Sequence, residues 1–411
     1  MTNSAMNTAF GNIRVLDMSR VLAGPLLAQN LADLGADVIK IERPGHGDES
    51  RTFPPYVKTA DGEETTDSAY FSSINRGKRS VTIDIATPRG QELVKKLAAD
   101  ADVLIENYRV GTLKRYGLDY ESICKINPRI IYCSITGFGQ TGPYKNRAGY
   151  DYLFQAMSGL MSLTGERDDL PGGGPAKVGL AICDVITGIH SSYAVAAALF
   201  HRERTGVGQY IDMSLLDVQI AAISHINMNY LVSGVVPKRM GTAHPSIVPY
   251  QTFDGSDGKF VIAVGNDGQF AKLCKVIDRE DLARNPLFLT NVDRVKNREQ
   301  LIPVLDAIFR QHPVASWIDR LIAVGVPSGP INDLRQVFDD PHVQSRKMRL
   351  EMEHPRSGTL PILANPIRFS VTPPTYQRVP PALGEHTREV LAGELGLSRE
   401  EIDSLAADNI I

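Results

Sequence analysis

Between Arg14 and Glu42 the chain reads as a strand, a helix and a second strand, and few folds accommodate that order. Arg14–Asp17 (RVLD) reads as a short strand. Ala23–Leu34 carries apolar residues at helical spacing, with Pro25 in the first turn and Gly35 just past the end. Asp37–Glu42 (DVIKIE) returns to strand. Strands joined by a crossover helix run parallel, and parallel sheets are covered by helices on both faces. The unit recurs: Ser80–Ile85 is a strand, Thr87 caps a helix with Pro88 at its first position, and Asp102–Glu106 is a strand. A helix over Tyr120–Ile126 and the β-rich run Arg129–Thr136 follow. The fold class is α/β, doubly wound around a parallel sheet. The first turn, MSRVLAGP, lacks GxGxxG, so a dinucleotide held in the Rossmann manner is not supported.

Length and composition narrow the function. A chain of 411 residues has room for two domains. Its 43% apolar and 22% charged residues are those of a soluble globular protein, and a net charge of -3 argues against a nucleic-acid partner. No apolar run reaches the roughly 18 residues that span a bilayer, so no membrane partner is expected. The opening MTNSAMNTAFGN has neither a basic n-region nor an apolar h-region and reads as a polar tail. Cys124, Cys133, Cys183 and Cys274 form no CxxC pair, which argues against structural zinc or a disulfide framework and fits a reducing cytoplasm. No P-loop or paired HxxxH points to a nucleotidase or a metal hydrolase.

Ala181–His201 (AICDVITGIHSSYAVAAALFH) places one acid, Asp184, at the mouth of an apolar helix. Ile186, Ile189, Tyr193, Val195, Ala197 and Leu199 form a stripe that suits a buried helix. Asp184 reads as its N-cap, an ordinary role for an Asp. It lacks a capping-box partner, since Thr187 stands where Glu or Gln is expected, and it follows the Gly-rich Pro171–Pro175. A carboxylate held by amides at a helix mouth is oriented and partly desolvated, as covalent catalysis by Asp requires. Cys183 beside it reads as a small buried hydrophobe rather than a thiol nucleophile.

Gln209–Met213 reads as a strand and Ser214–Leu231 as one long helix. The Pro-, Gly- and basic-rich stretch Val235–Pro249 marks a passage into a second domain. That domain opens with a hairpin, Tyr250–Phe253 and Phe260–Val264, and continues with helices over Gln269–Ile277, Asn297–Gln311 and Val314–Val324. Trp317, the one tryptophan, is expected in its core. His354–Gly384 is Pro-rich, extended, and expected to run back over the first domain. Thr387–Leu395 and a capping-box helix from Ser398, with Glu401 three residues on, close the chain.

Basic residues gather where the strands end: Arg43, then Arg76, Lys78 and Arg79, then Arg109 and Arg115. Ligands of open α/β sheets sit outside those ends, and such a set suggests a polyphosphate. Asp17–Arg51 (DMSRVLAGPLLAQNLADLGADVIKIERPGHGDESR), Asn75–Ile85 (NRGKRSVTIDI), Ala101–Leu118 (ADVLIENYRVGTLKRYGL), the SITGFGQTGPY run from Ser134 and a late LGEHT resemble the family III CoA transferases of the CaiB/BaiF type. That group includes the α-methylacyl-CoA racemases. The resemblance implies a Rossmann-like large domain with a parallel sheet over 1–215, completed by 375–411, a linker at 216–242, a smaller α+β domain at 243–345 and an extended return at 346–374. It also implies an interlocked-ring homodimer.

The same resemblance puts the catalytic aspartate on Asp184 and contacts to coenzyme A on Leu22, Ala23, Arg43, Ile74, Asn75, Arg76, Gly77, Asn107, Tyr108, Arg109, Arg115, Tyr150 and Asp151. Acyl-CoA is then a substrate, and no tightly bound cofactor or metal is expected. Racemases of the group carry a His where this chain has Tyr150; a tyrosine, with a pKa of about 10, is a poor base at neutral pH, so transfer is preferred. The implied route runs through an aspartyl anhydride and an aspartyl-CoA thioester, with Gly172–Gly174 as a possible lid. Gly241–Phe270 and Gly325–Asp333 look most like the succinyl-CoA:glutarate and related dicarboxylate transferases. A dicarboxylate needs a cation for its distal carboxylate, for which Arg20, Arg79, Arg147 and Arg239 are the candidates, with His244 a candidate for the acyl pocket. The alternatives are a racemase or epimerase and a non-catalytic acyl-CoA binding protein in which Asp184 is only a cap.

Overall fold

The computed structural model describes residues 8–59 and 61–411, so the polar stretch Met1–Asn12 lies outside the described residues through residue 7. The chain divides into two compact units, one of residues 1–160, 178–234 and 346–411, the other of 161–177 and 235–345.

Six parallel strands organise the first unit: β1 (Arg14–Asp17), β2 (Asp37–Glu42), β3 (Lys78–Thr82), β4 (Val103–Glu106), β5 (Ile131–Thr136) and β6 (Gln209–Ser214). Their order across the sheet is β3-β2-β1-β4-β5-β6. The order reverses between β1 and β4, and the loops leaving those two strands flank the crevice where open α/β sheets bind ligands. Apolar side chains pack on both faces, with Leu16, Ile39, Val81 and Leu104 in one layer and Val15, Val38, Val103 and Ile131 in the other. Two-sided burial leaves β4 (VLIE) largely apolar, whereas β2 (DVIKIE) and β3 (KRSVT) bury charged residues as well.

Four helices matter for the site: α1 (Ala23–Asp33), α2 (Pro88–Ala99), α3 (Asp151–Met157) and α4 (Ile182–Thr205). Thr87 caps α2 through its hydroxyl, as its sequence indicates. By length and composition α4 is apolar enough to cross a membrane, but here it packs as a core helix against α1 and β5, and Arg202 in its last turn pairs with Asp102 at 2.8 Å. Its buried face matches the expected stripe only in part. Val195 and Leu199 are buried as expected, together with Cys183, Thr187, Gly188, Ser191 and Ala198, whereas Ile189, Tyr193 and Phe200 are exposed. Close helix crossing accounts for the small residues at its start: a Cβ on Gly188 would stand 2.9 Å from the Ala23 carbonyl oxygen, so that position admits no side chain.

The expected helix over Ser214–Leu231 is two helices, Leu215–Ala222 and His225–Ser233, broken where Ser224 takes φ +55°. The return is also more ordered than its composition implied, because Arg349–His354 and Gly358–Leu363 pair as an antiparallel hairpin. Beyond it the chain runs beside β3, where the Gly77 N–H donates to the Arg378 carbonyl at 2.9 Å and the His386 N–H to that of Ser80 at 2.9 Å. The capping box at Ser398 and Glu401 is formed.

The second unit holds a three-stranded antiparallel sheet of Ser328–Pro330, Lys259–Ala263 and Tyr250–Asp254. Trp317 is buried in its core, edge-on to Phe309, and its indole N–H donates to the Phe309 carbonyl at 2.7 Å. Gly172–Gly174 belong to this unit, where the Gly173 N–H bonds the Leu170 carbonyl.

Candidate active site

A cleft of about 430 Å³ opens at the strand-order reversal of the first unit. Its wall takes Arg20, Val21, Leu22 and Ala23 from the turn after β1, Asn107, Tyr108, Arg109 and Arg115 from the segment after β4, and Lys145–Tyr150 from the approach to α3. Asp184 reaches it from α4.

The turn after β1 is fixed residue by residue. The Asn107 amide accepts the Arg20 N–H at 2.9 Å and donates to the Arg20 carbonyl at 2.7 Å, joining the two loops of the crevice. Asp48 accepts the Val21 N–H at 3.1 Å, and Val21 sits at φ +69°, a conformation a β-branched residue adopts only under constraint. Beneath lie fully buried charges. The Lys40 ammonium donates to the Ser19 carbonyl at 2.8 Å and pairs with Asp48 at 3.0 Å. The Lys78 ammonium donates to Asp17 at 2.8 Å, to Asn75 at 2.8 Å and to the Pro25 carbonyl at 2.9 Å. Burial lowers Lys78 to about 8 against the attraction of Asp17.

Asp184 is not the N-cap. Ala181 holds that position without a side-chain cap, and Asp184 stands in the first turn. The cap comes through space from the first residue of α3: Asp151 Oδ1 accepts the N–H of Cys183 at 2.7 Å and that of Asp184 at 3.2 Å. Gln155, one turn along α3 and fully buried, completes the clamp. Its amide donates to Asp151 Oδ2 at 2.6 Å and to the Leu180 carbonyl at 3.1 Å, while its oxygen accepts the Val178 N–H at 2.8 Å. Burial, and then the negative charge of Asp151, push the Asp184 carboxyl up to about 7. Burial also pushes the Cys183 thiol above its ordinary range, which removes it as a thiolate nucleophile.

Eight of the residues assigned by resemblance therefore share one cleft: Leu22, Ala23, Asn107, Tyr108, Arg109, Arg115, Tyr150 and Asp184. Asp151 acts from beneath. Arg43, just past β2, is exposed and does not line the cleft. Nor do Ile74, Asn75, Arg76 and Gly77. Ile74 is core, Asn75 serves Lys78, and Arg76 forks buried Asp33 at 2.8 and 2.6 Å. Gly77, at φ +78°, lies against Ala32, whose methyl would be 2.9 Å from an added Cβ.

Sequence reasoning missed Tyr70 and Glu106. The Tyr70 phenol is pushed up to about 12 by burial and then by the charges of Asp184 and Asp151, so it stays protonated. Glu106, buried at the end of β4, bonds the Ser134 hydroxyl and accepts the Tyr108 N–H at 2.8 Å. Arg239 and His244 belong to the second unit, where Arg239 pairs with Asp168 and His244 Nδ1 accepts the Ser246 N–H at 3.0 Å. Among the described residues no group of three or more His, Cys, Asp or Glu is placed to hold a metal ion.

Known proteins resemble this chain over most of its length. The succinate–glutarate CoA-transferase of Agrobacterium fabrum is 48% identical over 381 residues, 92% of this chain and 94% of that protein. The human succinyl-CoA:glutarate CoA-transferase is 44% identical over 97% of this chain and 89% of its own length. The crystal structure of a CaiB/BaiF family protein from Brucella suis superposes with a TM-score of 0.82 at 47% identity, covering 94% of this chain and all of that one. With the profile of CoA-transferase family III matching residues 11–387, the chain is an enzyme and belongs to CoA-transferase family III.

Proposed function

We propose that the enzyme moves coenzyme A from succinyl-CoA, or a similar acyl-CoA, to a short dicarboxylic acid such as glutarate, with Asp184 as the nucleophile. One observation carries the reading: the Asp184 carboxyl reaches a cleft that also holds Arg109, Arg115, Lys145 and Arg147, none of which meets a carboxylate among the described residues. Phosphates and a carboxylate are the ligands such a set attracts. The names of the relatives supply the substrate class.

In this reading an Asp184 oxygen attacks the thioester carbonyl, the C–S bond breaks, and CoA leaves as thiolate from a mixed anhydride. The thiolate attacks the aspartyl carbonyl, the anhydride C–O bond breaks, and the donor acid departs from aspartyl-CoA. An acceptor carboxylate then attacks the same carbonyl and displaces the thiolate, which takes the new acyl group and restores Asp184. No net proton is consumed, and the thioester's energy is retained while water is kept out. Leu22, Ala23, Asn107, Tyr108, Arg109, Arg115 and Tyr150 are the residues we assign to CoA, with no tightly bound cofactor needed.

We further propose that the enzyme works as a homodimer in the interlocked arrangement the family resemblance implies. Exposed Ile189, Tyr193 and Phe200 on α4, and Leu231 and Val232 on the following helix pair, favour a second copy as cover. Four free thiols, three of them buried, are compatible with a cytoplasmic setting.

Mass spectrometry of CoA esters after incubation with succinyl-CoA and glutarate tests the reaction. Glutaryl-CoA should appear at constant total ester, and Asp184→Ala should form none while still binding CoA. Glutaryl-CoA formation by the folded variant would remove Asp184 as nucleophile.

A further inference from the structure

We propose that Arg147 grips the distal carboxylate of a dicarboxylic acyl group and thereby sets a preference for diacids over monoacids; the inference rests on the transfer reaction proposed above. A diacid brings a second negative charge into a cleft where Asp184 and, behind it, Asp151 already stand. Desolvating that charge is costly unless a cation meets it.

Three of the four candidate arginines already meet a carboxylate of the chain. Arg79 is buried against Asp37 and Glu394, Arg239 is paired with Asp168, and Arg20 holds Glu49 at 2.6 Å. Arg147 lines the cleft and meets no carboxylate among the described residues. Its guanidinium carbon lies 4.5 Å from the Tyr144 ring centre and 5.6 Å from that of Phe138. Stacking over aromatic faces orients the planar group and leaves its N–H edge for a bidentate carboxylate. Phe138 packs edge-on against Phe154 at 5.2 Å, and Phe154 lies on α3, whose first residue caps the helix of Asp184. The cationic platform and the nucleophile are thus fastened to one short helix. Neither Lys145, Arg109 nor Arg115 has an aromatic platform among the described residues, and Arg109 and Arg115 are left to the phosphates.

The test compares Arg147→Gln, Arg147→Lys and Arg20→Gln with the parent enzyme, using succinyl-CoA as donor, glutarate and pentanoate as acceptors, and free CoA as inhibitor. The exposed Arg147 side chain lets its variants keep the fold. Arg147→Gln should raise the glutarate KM by about 10- to 100-fold and erase discrimination against pentanoate, leaving inhibition by free CoA unaltered, with Arg147→Lys in between. A glutarate KM within about twofold of the parent value, a parallel weakening of CoA inhibition, or the loss appearing in Arg20→Gln instead would overturn the assignment. If the parent enzyme transfers CoA to no diacid, the transfer reading falls and this inference with it.

Discussion

Asp151 accepts the backbone N–H of Asp184 at 3.2 Å, so one acid caps the helix that carries the other. The arrangement orients Asp184 and opposes its ionisation at once, since the capping oxygen belongs to a carboxylate. A like charge nearby adds to burial in holding the Asp184 carboxyl up at about 7.

A nucleophilic carboxylate must be ionised, so kcat/KM of the free enzyme should rise with pH through about 7. Asp151→Asn keeps an oxygen to cap the amides and removes the charge. Its acid limb should move to lower pH, but not as far as an unburied Asp, because burial is the larger cause. Asp151→Ala loses the cap as well, at about 1 kcal/mol, and should lower kcat at every pH. A pH–rate profile of each variant decides; an acid limb that stays in place in Asp151→Asn would show that another charge governs Asp184.

Arg76 offers a second contrast between sequence and structure. Its fork onto Asp33 is buried on both sides, and Asn365 adds a bond to the same carboxylate at 3.1 Å. Removing one partner of such a pair leaves a buried charge unmatched. Arg76→Ala should therefore cost about 3–5 kcal/mol in denaturant unfolding. Arg76→Lys keeps the charge but breaks the fork, and should lose stability with little change in the KM for the CoA ester. A raised KM at unchanged stability would instead return Arg76 to the ligand.

These cases show what the residues reveal by themselves. The sheet was legible because central strands such as Val103–Glu106 (VLIE) and Ile131–Thr136 (IYCSIT) are largely apolar, and because Pro88 and Gly35 punctuate the helices. The crevice was legible from the strand ends. Family resemblance, rather than spacing, is what singled out Asp184 as the proposed nucleophile. The true cap was hidden because Asp151 lies 33 residues away and acts through space. The basic NRGKR run read as a phosphate site because Arg76's partner, Asp33, is 43 residues distant. On α4 the sequence pattern found buried Val195 and Leu199 but not the small residues around Gly188, which close approach of α1 selects for the interior.

Glu106 carries the remaining prediction. Burial pushes its carboxyl up to about 7, although bonds from Ser134 and from the Tyr108 N–H oppose the shift. An unfolded glutamate titrates at about 4.3. Between those values the native state holds more protons than the unfolded chain, so this group's contribution to stability falls as pH rises and is fully lost above about 7. Glutamine imitates the neutral acid: its oxygen can accept the Tyr108 N–H and its amide can donate to the Ser134 hydroxyl. Glu106→Gln should match the parent protein near pH 4 and exceed it at pH 8, with the gap opening through the window between. Glu106→Ala leaves the Tyr108 N–H unpaired and should be less stable than Glu106→Gln at every pH, by about 1–3 kcal/mol. Urea unfolding at several pH values measures both, and a Glu106→Gln difference that stays flat with pH would mean that Glu106 remains ionised in the folded enzyme.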